Sequence, residues 1–173
     1  MDEKQLIEIT KDNLARVLGF FPRVDTIMSL LLATNLGLLA VLGANTPPAK
    51  ELDGYATFAV VFVLLATITF IHLYKCAFPR LDGGHTSLIY FREVANKTEL
   101  KYQEAFKEMT EDDYLNDMLE QVWRNSKILT EKFNHIRWAF TFLLISLIFW
   151  LPALLSLVSR NLKTYWRNSY VFG

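Results

Sequence analysis

Three apolar stretches alternate with polar ones along the chain. Residues 24–43, 55–74 and 138–158 are 20, 20 and 21 residues long, and Asp25 is the one charged side chain among them. Each is long enough for a helix across ~30 Å of hydrocarbon. A chain of 173 residues is too short to wrap three such helices inside a soluble core. The pattern therefore predicts an all-α membrane protein with about three transmembrane helices.

The polar stretches have patterns of their own. Over residues 1–22, Leu6, Ile7, Leu14, Val17, Leu18 and Phe21 recur at helical spacing among Lys4, Lys11, Asp12 and Arg16. That spacing predicts an amphipathic N-terminal helix, ended by Pro22. Its polar face is mixed in sign, which favours packing on the rest of the polar region over lying in the headgroup plane. Residues 23–75 then form a transmembrane hairpin, closed by the short ANTPPAKELDG turn with its two prolines.

Residues 76–137 make a small helical region continuous with the last span, 138–158, and a tail follows at 159–173. KCAFPRLDGGHTS reads as a loop, broken by Pro79 and Gly83–Gly84. LIYFREVAN is ambiguous between strand and helix. Thr98 is placed to cap a brief helix over 99–108, and Thr110 with Asp113 three residues on resembles a capping box opening a long helix. Along it, Leu115, Met118, Val122, Asn125, Leu129, Lys132 and Ile136 alternate steps of three and four, a coiled-coil-like seam with two polar members. No breaker separates it from Trp138, so stalk and span should be one helix, and a kink at Pro152 would let its end re-enter.

Charge fixes the orientation. Lys and Arg total 18, as do Asp and Glu, so zero net charge gives no drive towards a nucleic-acid polymer. Region 75–137 holds 10 of the basic and 11 of the acidic residues. With the N-terminus and this region cytoplasmic, 14 basic residues lie inside and four outside, three of the four being Arg160, Lys163 and Arg167 of the tail. The charged N-terminus lacks the compact apolar core of a cleavable signal, so the first span is expected to act as an uncleaved anchor. Cys76 stands alone and reads as an interfacial thiol.

Candidate chemistry is binding, not catalysis. His72, His85 and His135 have no metal-ligand spacing with one another or with Cys76. Gly83-Gly84-His85 lacks the strand–turn–helix setting of a phosphate loop, and Glu111-Asp112-Asp113 suits a helix N-terminus. The expectation is a protein that is not an enzyme and has no metal or cofactor. Three polar clusters remain. Arg23 and Asp25 sit at the membrane edge, with Asn35 near mid-span beside the small pair Ala33 and Gly37, a set suited to packing within the chain or to self-association. Gln121, Arg124, Asn125, Lys127 and Lys132 share the long helix. His85, Ser87, Tyr90 and Arg92 combine aromatic and basic groups that either form an aromatic core segment or hold a nucleotide base and phosphate.

PRVDTIMSLLLATNLGLLAVL resembles the first span of the membrane effectors of Pycsar anti-phage systems: an Arg-x-Asp at the membrane edge, then a Leu-rich span with a polar residue inside. SLIYF at 87–91 and QVWRNSKILTEKF at 121–133 are similar to two further patterns of that family, in the same order. Ile27 stands where members often carry a lysine. The resemblance implies a multi-pass protein of the bacterial inner membrane that senses cyclic CMP or cyclic UMP made by a partner cyclase. It would then oligomerise or rearrange and impair the membrane. The ligand residues expected on this view are Tyr90, Arg92, Arg124, Asn125 and Lys132, with Arg23, Asp25 and Asn35 in membrane assembly. The alternative is a constitutive membrane adaptor using the 111–136 helix as a partner-binding coiled coil.

Overall fold

The computed structural model describes residues 2–46, 55–78 and 86–171, and side chains up to Ser159 apart from Tyr55 and Leu157. The 47–54 part of the hairpin turn, Pro79, Gly83, Gly84 and His85 lie outside the described residues, as do the charged side chains of the tail. Five helices follow in order: α1 (Glu3–Ala44), α2 (Tyr55–Ala77), α3 (Phe91–Ala95), α4 (Glu99–Glu108) and α5 (Glu111–Val171), and the described residues contain no strand. LIYFREVAN resolves as an irregular stretch leading into the short α3.

α1 runs straight through Pro22, where the sequence suggested a stop. Proline removes one backbone bond, but Pro22 faces outward while the inward stripe continues on both sides of it. Thr10, Val24, Leu31, Asn35 and Leu42 are buried, and Leu14, Val17, Phe21 and Met28 fill the intervening steps as half-buried residues. Packing along this stripe overrides the local break. α5 likewise passes Pro152 and ends at Val171, so the chain does not turn back at that proline.

The capping signals are realised atom by atom. The Lys101 amide donates to Thr98 Oγ1 at the start of α4. At α5 the Asp113 amide donates to Thr110 Oγ1 at 3.1 Å, and the Thr110 amide and hydroxyl donate to Asp113 Oδ2 at 3.1 and 2.6 Å. These bonds hold the Asp113 carboxyl below its usual value of 3.8. Its share of stability is present above the unfolded carboxylate range and is lost as pH falls through the lowered folded value. Thr110→Ala should destabilise α5 by about 1 kcal/mol. The check is a thermal midpoint roughly 2–4 °C below wild type at pH 7.

The chain divides into two compact units. The first comprises residues 1–25 and 78–133, thus the start of α1, all of α3 and α4, and the first part of α5. Within it α1 packs on α5, with Lys11 Nζ 5.5 Å from the Tyr114 ring centroid. The second comprises residues 26–77 and 134–173. Its core is Leu42, Phe62, Ala66 and Ala153, packed by Leu38, Leu39, Ala59, Phe149 and Trp150. Several polar groups inside find partners on helix backbones: Thr69 Oγ1 donates to the Leu65 carbonyl, Ser146 Oγ to Leu143 and Trp150 Nε1 to Leu38, whereas Asn35 Oδ1 is buried with no hydrogen-bond partner.

This second unit is apolar on the outside as well. Leu30, Leu36, Val60, Leu64, Ile148 and Leu155 are all at least half exposed. Among the described residues α1, α2 and α5 are long and apolar enough to cross a membrane, yet only 17, 22 and 22% of their apolar windows is buried. Outward leucines on this scale suit hydrocarbon and not water. The protein is an all-α membrane protein.

Candidate functional site

In the first unit the polar residues converge on one irregular segment, Thr86–Tyr90. Ser87 Oγ accepts from the amides of Ile89 and Tyr90 at 3.1 and 2.8 Å, a local turn that aims Tyr90 inward. α5 then takes hold of the segment at two points one turn apart. Asp117 Oδ2 accepts from the Leu88 amide at 2.8 Å, and Gln121 Nε2 donates to Ser87 Oγ at 3.2 Å. The next turn places the Arg124 guanidinium over the Tyr90 ring, 5.4 Å from its centroid.

The segment also shifts what α5 buries. The heptad reading put Val122, Asn125 and Leu129 on the seam, but these are half-buried, and Gln121, Arg124 and Ile128 are buried instead. The cause is polar: Ser87 and Tyr90 need partners on that side, and Gln121 and Arg124 supply them. Asn125 donates to the Gln121 carbonyl of its own helix at 2.8 Å.

A cavity of about 470 Å³ opens between the segment, the end of α4 and α5. Thr86, Ser87 and Leu88 form one wall, Ala105, Glu108 and Met109 another, and Asp113, Asn116, Asp117 and Glu120 the third. Four carboxyl groups make it an acceptor-rich space. Asp117 Oδ1 is buried with no hydrogen-bond partner. Arg124, whose side chain is 8% exposed, meets this lining through Glu120, itself 51% exposed and bonded to Nη2. Arg124 Nη1 is buried without a partner. Buried donors and acceptors in this state carry a penalty that a ligand can relieve. Among the described residues no group of three or more His, Cys, Asp or Glu could hold a metal.

Of the five residues expected at a ligand site, the structure brings together Tyr90 and Arg124. Arg92 lies exposed on α3. Lys132 is two turns beyond Arg124, where it is buried and donates to Asp25 Oδ1 at 2.7 Å with Phe21 alongside. Asp25 thus takes its cation from α5, although Ile27 fills the position where a lysine of α1 would stand. Lys127 lies over the exposed Trp123 ring at 4.1 Å. The sequence signals missed Asp117 as a site member, and a solitary Asp on a helix face gave no local sign of the Leu88 bond.

The residues expected in membrane assembly part company as well. Arg23 and Asp25 belong to the first unit, Arg23 lying against the Phe20 ring at 5.4 Å. Asn35 belongs to the second, fully buried, its amide donating to the Ala66 carbonyl at 3.1 Å. Ala33 and Gly37 are exposed, and a Cβ at Gly37 would meet nothing within 4 Å. Asn35 and the small pair therefore occupy different faces of α1. The Asn35 amide joins α1 to α2 within the chain, while its Oδ1 is buried with no hydrogen-bond partner.

Comparison with known proteins adds the relationship. The PycTM family, described as the Pycsar effector protein domain, matches residues 9–159. The Pycsar effector protein GmPycTM of Gulbenkiania mobilis is 30% identical over 83 residues, covering 43% of this chain and 42% of that protein. The alignment thus spans less than half the length of that relative. No solved structure matches.

Proposed function

Because the chain belongs to the Pycsar transmembrane effector family of anti-phage defence, we propose that it is a nucleotide-gated effector of the bacterial inner membrane. Its ligand is a cyclic pyrimidine mononucleotide, cyclic CMP or cyclic UMP, supplied by a partner cyclase. The first unit faces the cytoplasm and binds it. The second unit, in response, oligomerises or rearranges and impairs the membrane.

The observation that carries the ligand reading is Arg124. Its guanidinium is buried, one nitrogen has no partner, and a half-exposed glutamate occupies the other. A cyclic phosphate monoanion offers two oxygens to that fork, and a bidentate pair is stronger than the single carboxylate contact it replaces. Tyr90 holds the guanidinium plane in place from behind. The cavity volume falls within the range of small-molecule sites. Its acceptors suit the other end of the ligand: cytosine offers an amino group and uracil an imino proton, and Asp117 Oδ1 can accept from either.

Calorimetric titration of the detergent-purified protein with cyclic CMP, UMP, AMP and GMP tests this reading. At least one pyrimidine nucleotide should bind saturably and more tightly than either purine. Equal binding of all four, or of none, overturns it.

A further inference from the structure

One arrangement in the second unit plays no part in ligand binding. His72 of α2 and His135 of α5, 63 residues apart, meet with their Nδ1 atoms 3.2 Å apart. The ring centroids are 5.4 Å apart at 47°. Trp138 and Phe142, one and two turns after His135, both stack on His72 at 6.4 and 5.7 Å, and they stack on each other at 5.9 Å. The pair is half-buried, and it joins two helices of the membrane unit.

A nitrogen-to-nitrogen bond of this kind constrains the proton count. One Nδ1 must carry hydrogen and the other must offer its lone pair. In the neutral pair the donor ring therefore leaves Nε2 free, while the acceptor ring carries its hydrogen on Nε2. A first added proton goes to the free Nε2 of the donor ring. The bridge survives and becomes an imidazolium–imidazole bond, which is the stronger form. A second proton can go only to the acceptor Nδ1. That consumes the lone pair, turns two N–H groups towards each other and leaves two cations in contact. The contact fails at that defined step, which acid drives because imidazole is the base that must take the second proton.

We propose that His72 and His135 form an acid-sensitive latch, which joins α2 to α5 while the pair carries at most one added proton and releases on the second. The neighbouring charges do not compensate the doubly charged state. Lys75, one turn along α2, adds a further positive charge acting on His72. On α5, Arg137 lies two residues after His135, and Glu131 lies one turn before it and is exposed. Trp138 and Phe142 offer ring faces that tolerate one cation but give no acceptor. The latch is independent of the nucleotide reading, because neither histidine belongs to the site around Arg124.

The test compares wild type with His72→Gln in detergent, following the thermal midpoint from pH 8 to pH 5. Glutamine keeps an amide donor for His135 Nδ1 and cannot titrate. The wild-type midpoint should fall by about 5 °C or more beyond any fall in the variant. The carboxylates titrate alike in both proteins, so parallel profiles overturn the proposal. Should the variant fail to fold, nitrogen NMR of the histidine-labelled wild type decides. At pH 7.5 one ring should carry its proton on Nδ1 and the other on Nε2, and two Nε2 tautomers contradict the bridge.

Discussion

Arg124→Met should reduce affinity for the cyclic nucleotide at least 100-fold while leaving the protein folded. Two charge-assisted bonds to one phosphate are worth roughly 1.5–3 kcal/mol each, and methionine keeps the apolar stem that packs on Tyr90. The fold tolerates the change because Glu120 is half exposed and is solvated once its partner is gone. Arg124→Lys retains the charge without the fork and should fall between, about tenfold weaker than wild type. Glu120→Gln removes the anion that occupies the guanidinium in the free protein. It should leave affinity unchanged or raise it several-fold, the opposite of what a ligand-contacting carboxylate would give. Calorimetry on the three variants checks the series, and Arg124→Met binding within threefold of wild type would remove Arg124 from the site.

The second large effect is on stability, at the Asp25–Lys132 pair. Lys132 is the buried partner, its side chain 7% exposed against 50% for Asp25. Asp25→Leu strands an ammonium group in the first unit. Removing one partner of a fully buried pair costs about 3–5 kcal/mol, and water reaching the Asp25 side lowers this to about 2 kcal/mol. The thermal midpoint should drop by roughly 4–8 °C. Lys132→Met leaves the carboxylate facing water and should shift it by less than half as much. The Asp25→Leu, Lys132→Met double variant should recover most of the loss, because no uncompensated charge stays buried. An equal loss from both single changes would mean that the asymmetry in burial does not govern the pair.

What the sequence could and could not convey follows from the range of each interaction. The three spans, the Thr98 cap and the Thr110–Asp113 box depend on residues within a turn or two, and all were legible. The stop assigned to Pro22 was wrong because a local break competes with a stripe of packing from Thr10 to Leu42. The seam slipped at Arg124 because the Thr86–Tyr90 segment brings hydrogen-bond demands from more than 30 residues away, which periodicity does not carry. The same holds for Lys132 with Asp25 and for His72 with His135. Both pairs join residues on different helices, and neither partner predicts the other. Tyr90 and Arg124 carry no local sign of one another either, and the structure places them in contact. Arg92 is exposed on α3, Asn125 bonds to the backbone of its own helix and Lys132 pairs with Asp25.

The most direct measurement of the central claim reconstitutes the protein into vesicles loaded with a self-quenching dye. Cyclic CMP or cyclic UMP should release the dye from wild-type vesicles, cyclic AMP and cyclic GMP should not, and Arg124→Met vesicles should stay intact with all four. Release that is the same with and without nucleotide, or that persists in the Arg124→Met vesicles, would contradict a membrane effector gated through this site.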